Sequence, residues 1–96
     1  MRLLPTYQET IKTSCKAVFG EDADVFLFGS RVDDTKLGGD IDLYIKTPDK
    51  TDLRTKKTKF IVELYKKLGE QKIDVVFDED ATRPIEKEAI KWGIAL

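Results

Sequence analysis

Three aspartates have the residue type and the spacing that metal-dependent group transfer requires. Asp40 and Asp42 are two residues apart in the segment DIDLYIK, and Asp74 lies in the segment KIDVVF. Residues i and i+2 of a strand project from one face, so the first two carboxylates share one side of the predicted sheet. If the two strands are neighbours, Asp74 joins them across the ladder. Clustered carboxylates repel one another unless a hard cation such as Mg²⁺ neutralises them, and carboxylate-bound Mg²⁺ is typical of phosphoryl and nucleotidyl transfer.

A Gly-Ser turn precedes the aspartate pair. Gly29 directly follows the apolar segment DVFLF, and glycine permits a sharp turn and a close approach of the backbone to a ligand. Residues 30–37 are predicted to form a tight turn or a short helix. At its start, the Ser30 hydroxyl and free backbone N–H groups could hold a phosphate, and Arg31 could reach a triphosphate as a planar donor. The alternatives are that Ser30 is an ordinary helix N-cap and Arg31 a surface residue.

The aspartates also have a plain structural interpretation. Asp40 would then mark a strand end, Asp42 would lie on a solvated face, and Asp74 would lie at the surface of an edge strand. An isolated D-x-D pattern favours this interpretation. The preceding turn and the third aspartate in a separate strand favour a site instead. Tyr44 shares the face of the aspartates and either packs in the core or stacks near a base.

Hydrophobic periodicity predicts the elements that must position these residues. The predicted helices cover residues 5–19, 52–68 and 84–92, and the predicted strands cover residues 24–28, 40–46 and 72–77. For the last helix, the expected buried stripe is Ile85, Ala89 and Trp92. The order of elements predicts an α/β (α+β) domain with helices packed on one side of a short mixed β-sheet.

Composition narrows the possible functions. The chain of 96 residues suits one small domain, and 17 basic against 18 acidic side chains make nucleic-acid binding unlikely on electrostatic grounds. The basic segment RTKKTK, residues 54–59, is expected to be a solvated helix face, although it could contact RNA phosphates. The absence of histidine excludes histidine bases and histidine-ligated zinc.

Cysteine content and hydropathy bear on localisation. The lone Cys15 cannot form an intramolecular disulfide and is expected to be a small buried hydrophobe. The N-terminal segment MRLLPTYQET contains no apolar stretch long enough for a signal peptide or a membrane span. We therefore expect a cytoplasmic protein that is not bound to a membrane.

Taken together, GSR, GDIDL and IDVVF resemble the signature of the nucleotidyltransferase fold of the DNA polymerase β superfamily. The size and the order of elements are similar to those of its minimal members, the MNT domains. The closing segment EKEAIKWGIAL is similar to the family's usual last helix and tail. The resemblance covers essentially the whole chain, so residues 1–96 are expected to form a single minimal nucleotidyltransferase domain.

The resemblance implies a role for each site residue. Asp40 and Asp42 would bind Mg²⁺ and the triphosphate of ATP, and Asp74 would complete the metal site and help to deprotonate an acceptor hydroxyl. Gly29 and Ser30 would hold the phosphates, with Arg31 beside them. One departure is the pair Gly38-Gly39, where related sequences often have a serine before the first aspartate. This pair makes the loop more flexible.

The resemblance also implies a partner. Minimal members are commonly paired with helical HEPN proteins in toxin–antitoxin modules, and the family implies transfer of AMP to a tyrosine of the HEPN toxin. The chain has no room for a separate acceptor-binding domain, which agrees with an acceptor supplied by a partner. Two alternatives remain open at this point: an antitoxin with an idle site that neutralises its partner by binding alone, and a nucleotidyltransferase acting on a small molecule or on RNA.

Overall fold

The computed structural model describes residues 3–32 and 39–96. Its helices are α1, α2 and α3, at Pro5–Phe19, Leu53–Leu68 and Pro84–Trp92. Its strands are β1, β2, β3 and β4, at Asp24–Phe28, Ile41–Lys46, Ile73–Phe77 and Ile94–Ala95. A 3-10 turn, Gly29–Arg31, follows β1. The predicted helices and strands are confirmed, each within one residue of its predicted bounds. Of the segment predicted to turn at residues 30–37, residues 33–37 lie outside the described part of the chain.

The strands form a mixed sheet in the order β3-β2-β1-β4. β1 pairs with β2 and with β4 in antiparallel fashion, whereas β2 and β3 are parallel. The parallel pair is connected through α2, as a crossover between parallel strands requires. The predicted α/β class and the mixed sheet are therefore confirmed. β4 was not predicted, because a two-residue strand leaves no periodic pattern in the sequence.

The main core lies on the face of the sheet that carries Leu27, Leu43 and Val75. Helices α1 and α2 cover this face with apolar side chains that are fully or almost fully buried, among them Ile11, Cys15, Phe19, Phe60 and Leu64. The ring of Phe19 packs edge-on against those of Phe60 and Phe77, with centroids 5.5 and 5.4 Å apart. This core provides most of the apolar burial on which a domain of this size depends.

Helix α3 lies on the opposite face, so the prediction that all helices pack on one side is wrong for this helix. Its buried Ala89 packs with Phe28 and Tyr44 of the sheet. The alternation of β1 and β2 places the aromatic residues Phe26, Phe28 and Tyr44 on this second face, which would be left exposed without a helix. The predicted stripe is also wrong at two positions, since Ile85 and Trp92 are 45% and 58% exposed.

Cys15 offers a simple test of the main core. The thiol is fully buried, and burial raises its pKa from 9.0 to about 11. Because the thiolate is the reactive form, we expect iodoacetamide to alkylate Cys15 at least about 100-fold more slowly in the folded protein than in denaturant at the same pH. Time-resolved mass spectrometry measures both rates. Equal rates would show that Cys15 is accessible in the folded state.

Candidate functional site

Asp42 and Asp74 lie side by side in the parallel pair of strands. Asp42 is opposite Asp74 in the register of β2 and β3, so both carboxyl groups project from the face covered in part by α3. The pKa of Asp42 is raised, first by burial, then by the charges of Asp74 and Asp40 and by a side-chain hydrogen bond with Asp74. The two strands are neighbours, which the sequence had left open, and their pairing places two mutually repelling carboxyl groups in contact.

Asp40 lies just outside β2, which begins at Ile41. Its carboxylate oxygen Oδ2 is 3.4 Å from Nζ of Lys72, the residue before β3, and both side chains are largely exposed. Its charge nevertheless contributes to the raised pKa of Asp42. Within residues 3–32 and 39–96, no group of three acidic or sulfur side chains is close enough to hold a metal ion. The structure therefore brings Asp42 and Asp74 together and leaves Asp40 beside them, paired with Lys72.

Gly29 lies against the carboxyl group of Asp42. It follows Phe28, which is opposite Asp42 in the antiparallel pair, and it has φ of 78°. A Cβ atom on Gly29 would lie 2.2 Å from Oδ2 of Asp42, a separation that real Cβ atoms do not adopt. Glycine therefore serves two purposes here, the left-handed backbone of the turn and the close approach to a site carboxylate.

Arg31 connects the 3-10 turn with the residues before β2. Its guanidinium donates hydrogen bonds from Nη2 and Nε to the carbonyl oxygen of Gly39, at 2.9 and 3.3 Å. This arginine, predicted to reach a triphosphate, thus also holds the turn against the residue preceding Asp40. The side chain of Ser30, as well as Gly38 of the Gly38-Gly39 pair, lies outside the described residues.

Comparison with known proteins identifies the family to which the chain belongs. The profile of the nucleotidyltransferase domain family matches residues 9–94. The chain belongs to this family. It is also similar to a chain in a solved structure of the tri-AMPylated HEPN toxin of Shewanella oneidensis in complex with an MNT antitoxin: the TM-score is 0.71, the sequence identity is 18%, and the match covers 94% of this chain and 68% of that chain. At this identity the likeness shows a shared fold. None of the curated proteins matches the chain significantly.

The nucleotidyltransferase domain contains a buried carboxylate that the sequence did not reveal. Glu86 of α3 is fully buried and accepts hydrogen bonds from the Tyr44 hydroxyl at 3.2 Å, the Asp80 backbone N–H at 2.7 Å and Nε of Arg83 at 2.7 Å. Burial alone would raise the pKa of Glu86, but these donors hold it below its ordinary value. Burial and the same hydrogen bond raise the pKa of Tyr44 to about 12.

This network fixes α3 to the strand of the candidate site. Tyr44 follows Asp42 by two residues and lies on the same face of β2, so the bond to Glu86 joins the helix to the strand that carries the site. Glu88 of the same helix contributes to the raised pKa of Asp42. Acidic residues are common in the first turn of a helix, so the sequence around Glu86 does not indicate that this side chain is buried. Only the position of Tyr44 in the fold, 42 residues away in the chain, could have indicated it.

We expect Glu86→Gln to destabilise the nucleotidyltransferase domain by about 1–2 kcal/mol near neutral pH, because the hydrogen bonds from Arg83 and the Asp80 N–H lose their ionic component. The folded pKa is lowered, so the contribution of Glu86 is complete above its ordinary pKa of 4.5 and is lost as the pH falls through the folded value. Denaturant titrations should therefore converge for wild type and variant at acidic pH. The exposed Glu88→Gln on the same helix is the control, and an equal loss there would contradict the role of the network.

Proposed function

We propose that this chain transfers AMP from ATP to a hydroxyl group of a partner protein in a Mg²⁺-dependent reaction. The observation that supports this most is the contact of Asp42 with both Asp74 and the Gly29 turn in a chain of the nucleotidyltransferase family. Asp42, Asp74 and Gly29 belong to different elements, and the resemblance implies that each of them takes part in nucleotide transfer.

The carboxyl groups at this site fit a hard divalent cation. Asp42 and Asp74 are side by side, and burial together with the charges of Asp74 and Asp40 raises the pKa of Asp42. Carboxylate oxygens are the ligands that Mg²⁺ prefers in proteins. Asp40 would become the third ligand on leaving Lys72, which is a modest change because the pair is largely exposed. When bound, Mg²⁺ would supply charge neutralisation of the triphosphate.

In this proposal, residues of the chain accept the proton of the acceptor, hold the phosphates and position the carboxylate oxygens. The exposed Asp74 is placed to accept the proton of the acceptor hydroxyl, whose oxygen attacks the α-phosphorus of ATP. The bond from this phosphorus to the bridging oxygen then breaks, and pyrophosphate leaves. Gly29, Ser30 and Arg31 hold the phosphates at the turn after β1. The half-buried Asp42 keeps its ligand oxygens fixed between β1 and β3.

The acceptor in this proposal is a tyrosine of a HEPN-type toxin, and the chain is the antitoxin of a cytoplasmic type VII-like module. The similar solved structure is described as a tri-AMPylated HEPN toxin in complex with an MNT antitoxin, which supports this choice. The pairing would also supply an acceptor-binding surface.

Transfer of label from ATP tests the proposal directly. The purified chain is incubated with α-labelled ATP, Mg²⁺ and a HEPN-type protein encoded by a neighbouring gene, the partner that this proposal requires, and the label on the partner is measured. We expect label on the wild-type partner and none when its acceptor tyrosine is replaced by phenylalanine or when EDTA is added. An unlabelled partner, with a folded chain and a complex shown by gel filtration, would overturn the proposal.

A second candidate function is neutralisation of the partner by binding alone. The ion pair between Asp40 and Lys72 favours this candidate, since it holds the third carboxylate away from a shared metal position. Asp42→Ala separates the two functions in cells that express the toxin. If neutralisation is catalytic, the variant no longer protects growth. If neutralisation occurs by binding alone, the variant protects growth as the wild type does.

A further inference from the structure

The outer edge of β3 has backbone groups that pair with no strand among the described residues. Two hydrogen bonds mark the ends of the parallel ladder between β2 and β3. At one end the Ile41 N–H donates to the Lys72 carbonyl, at 3.0 Å, and at the other the Asp78 N–H donates to the Ile45 carbonyl, at 3.2 Å. In such a ladder β2 bonds to alternate residues of β3, here the even-numbered ones. The N–H and C=O groups of Ile73 and Val75 therefore point toward the open edge.

A groove of about 310 Å³ follows this edge, and its two walls differ. The wall formed by α2 carries Arg54 and Lys57, neither of which has an ion-pair partner within the described ranges. The wall on the α3 side presents the apolar side chains of Val76 and Ile85, the latter 45% exposed. Glu79 also lines the groove, together with Arg83, whose guanidinium is paired with Glu86.

The two walls define the chemistry of an occupant. A strand added to β3 would point alternate side chains toward α2 and toward α3. Acidic side chains would face Arg54 and Lys57, and apolar side chains would face Val76 and Ile85. The open N–H and C=O groups can pair with a peptide backbone, whereas a nucleic acid strand offers no such alternation of donors and acceptors.

We propose that the edge of β3 binds an extended segment of a partner protein, in which acidic and apolar residues alternate, as an added β-strand. This interaction needs neither ATP nor a metal ion and does not depend on transfer chemistry at Asp42. It assigns a protein-binding role to the basic segment of α2, since Arg54 and Lys57 are two of its cations. The main-chain bonds would provide the affinity, and the two walls would provide the selectivity.

A fluorescein-labelled peptide with the central sequence EVEVEV, flanked by glycine and serine, is the probe. Fluorescence anisotropy should show saturable binding to the wild-type chain. The double variant Arg54→Glu with Lys57→Glu should weaken binding by about tenfold or more, because two attractive pairs become repulsive. The matched control is Lys59→Glu with Lys66→Glu, which reverses two exposed charges of α2 outside the groove. This control should bind as wild type does.

Strand addition has a further signature in the backbone. Hydrogen exchange of the Val75 and Phe77 amides should slow when the peptide binds, and N-methylation of alternate peptide nitrogens should abolish binding. The proposal is overturned if the peptide does not bind at about 1 mM, or if a KVKVKV peptide or the N-methylated peptide binds equally well. The proposal is also overturned if the chain self-associates through this edge, because the edge would then bind a second copy of the chain. Displacement of the peptide by a single-stranded RNA would overturn it as well.

Discussion

Asp42→Asn should reduce the rate of AMP transfer by about a thousandfold or more while the protein stays folded. The amide keeps the size and shape of the side chain but removes the anionic oxygen that faces Asp74 and Gly29. Transfer of label to the partner measures the rate, and circular dichroism measures the fold. Asp22→Asn, at an exposed turn residue, is the control and should leave transfer unchanged.

The same variant should be more stable than wild type at neutral pH. The folded pKa of Asp42 is raised, chiefly by burial and by the charge of Asp74, so the ionised carboxylate disfavours the folded state. This penalty develops as the pH rises from the ordinary pKa of 3.8 through the folded value, and it is absent at lower pH. The variant should therefore melt at a higher temperature than wild type at pH 7 but not at strongly acidic pH. A variant that keeps nearly full transfer, or that is less stable at pH 7, would contradict the proposed role of Asp42.

Gly29→Ala should lower transfer by about a hundredfold, because a methyl group would occupy the position of an Asp42 oxygen. The added Cβ would lie 2.2 Å from Oδ2 and 3.0 Å from Cγ of that carboxyl group, so the carboxyl group or the turn must move. The positive φ of 78° adds backbone strain of about 1 kcal/mol for any residue with a Cβ. Transfer assays and denaturant unfolding measure the two effects separately.

Gly69→Ala is the matched control for this substitution. Gly69 has φ of 84°, close to that of Gly29, but among the described residues other than its chain neighbours no heavy atom lies within 4 Å of its added Cβ. Both variants should lose about 1 kcal/mol of unfolding free energy through strain, and only Gly29→Ala should also lose transfer. Equal transfer in the two variants would show that the approach of Gly29 to Asp42 has no importance for the reaction.

The three helices and the strands β1, β2 and β3 were predictable because each has a period that the local sequence displays. Apolar residues at helical spacing identified α1 and α2, and Gly20 and Gly69 ended them at the predicted positions. The two-residue period of DIDLYIK likewise placed Asp42 on the face opposite Leu43. For the candidate site, this period predicts only which face of its strand Asp42 occupies, and not which residues of other strands lie beside it.

The placement of α3 and the burial of Glu86 were not predictable in this way. The helix was expected to bury Ile85 and Trp92, but it buries Glu86 and Ala89. A carboxylate can be fully buried only where donors surround it, and one of these donors, the Tyr44 hydroxyl, belongs to a strand 42 residues earlier. No pattern within α3 contains that information.

By itself, the sequence determined the three helices, the strands β1 to β3 and the mixed α/β class, because these follow from local periodicity. Only the tertiary structure decided that β2 and β3 are parallel neighbours in the register that brings Asp42 against Asp74. It also decided that Asp40 pairs with Lys72 and that Gly29 lies against Asp42. These contacts join residues distant in the chain, and their energies depend on separations and burial that exist only once the sheet has formed.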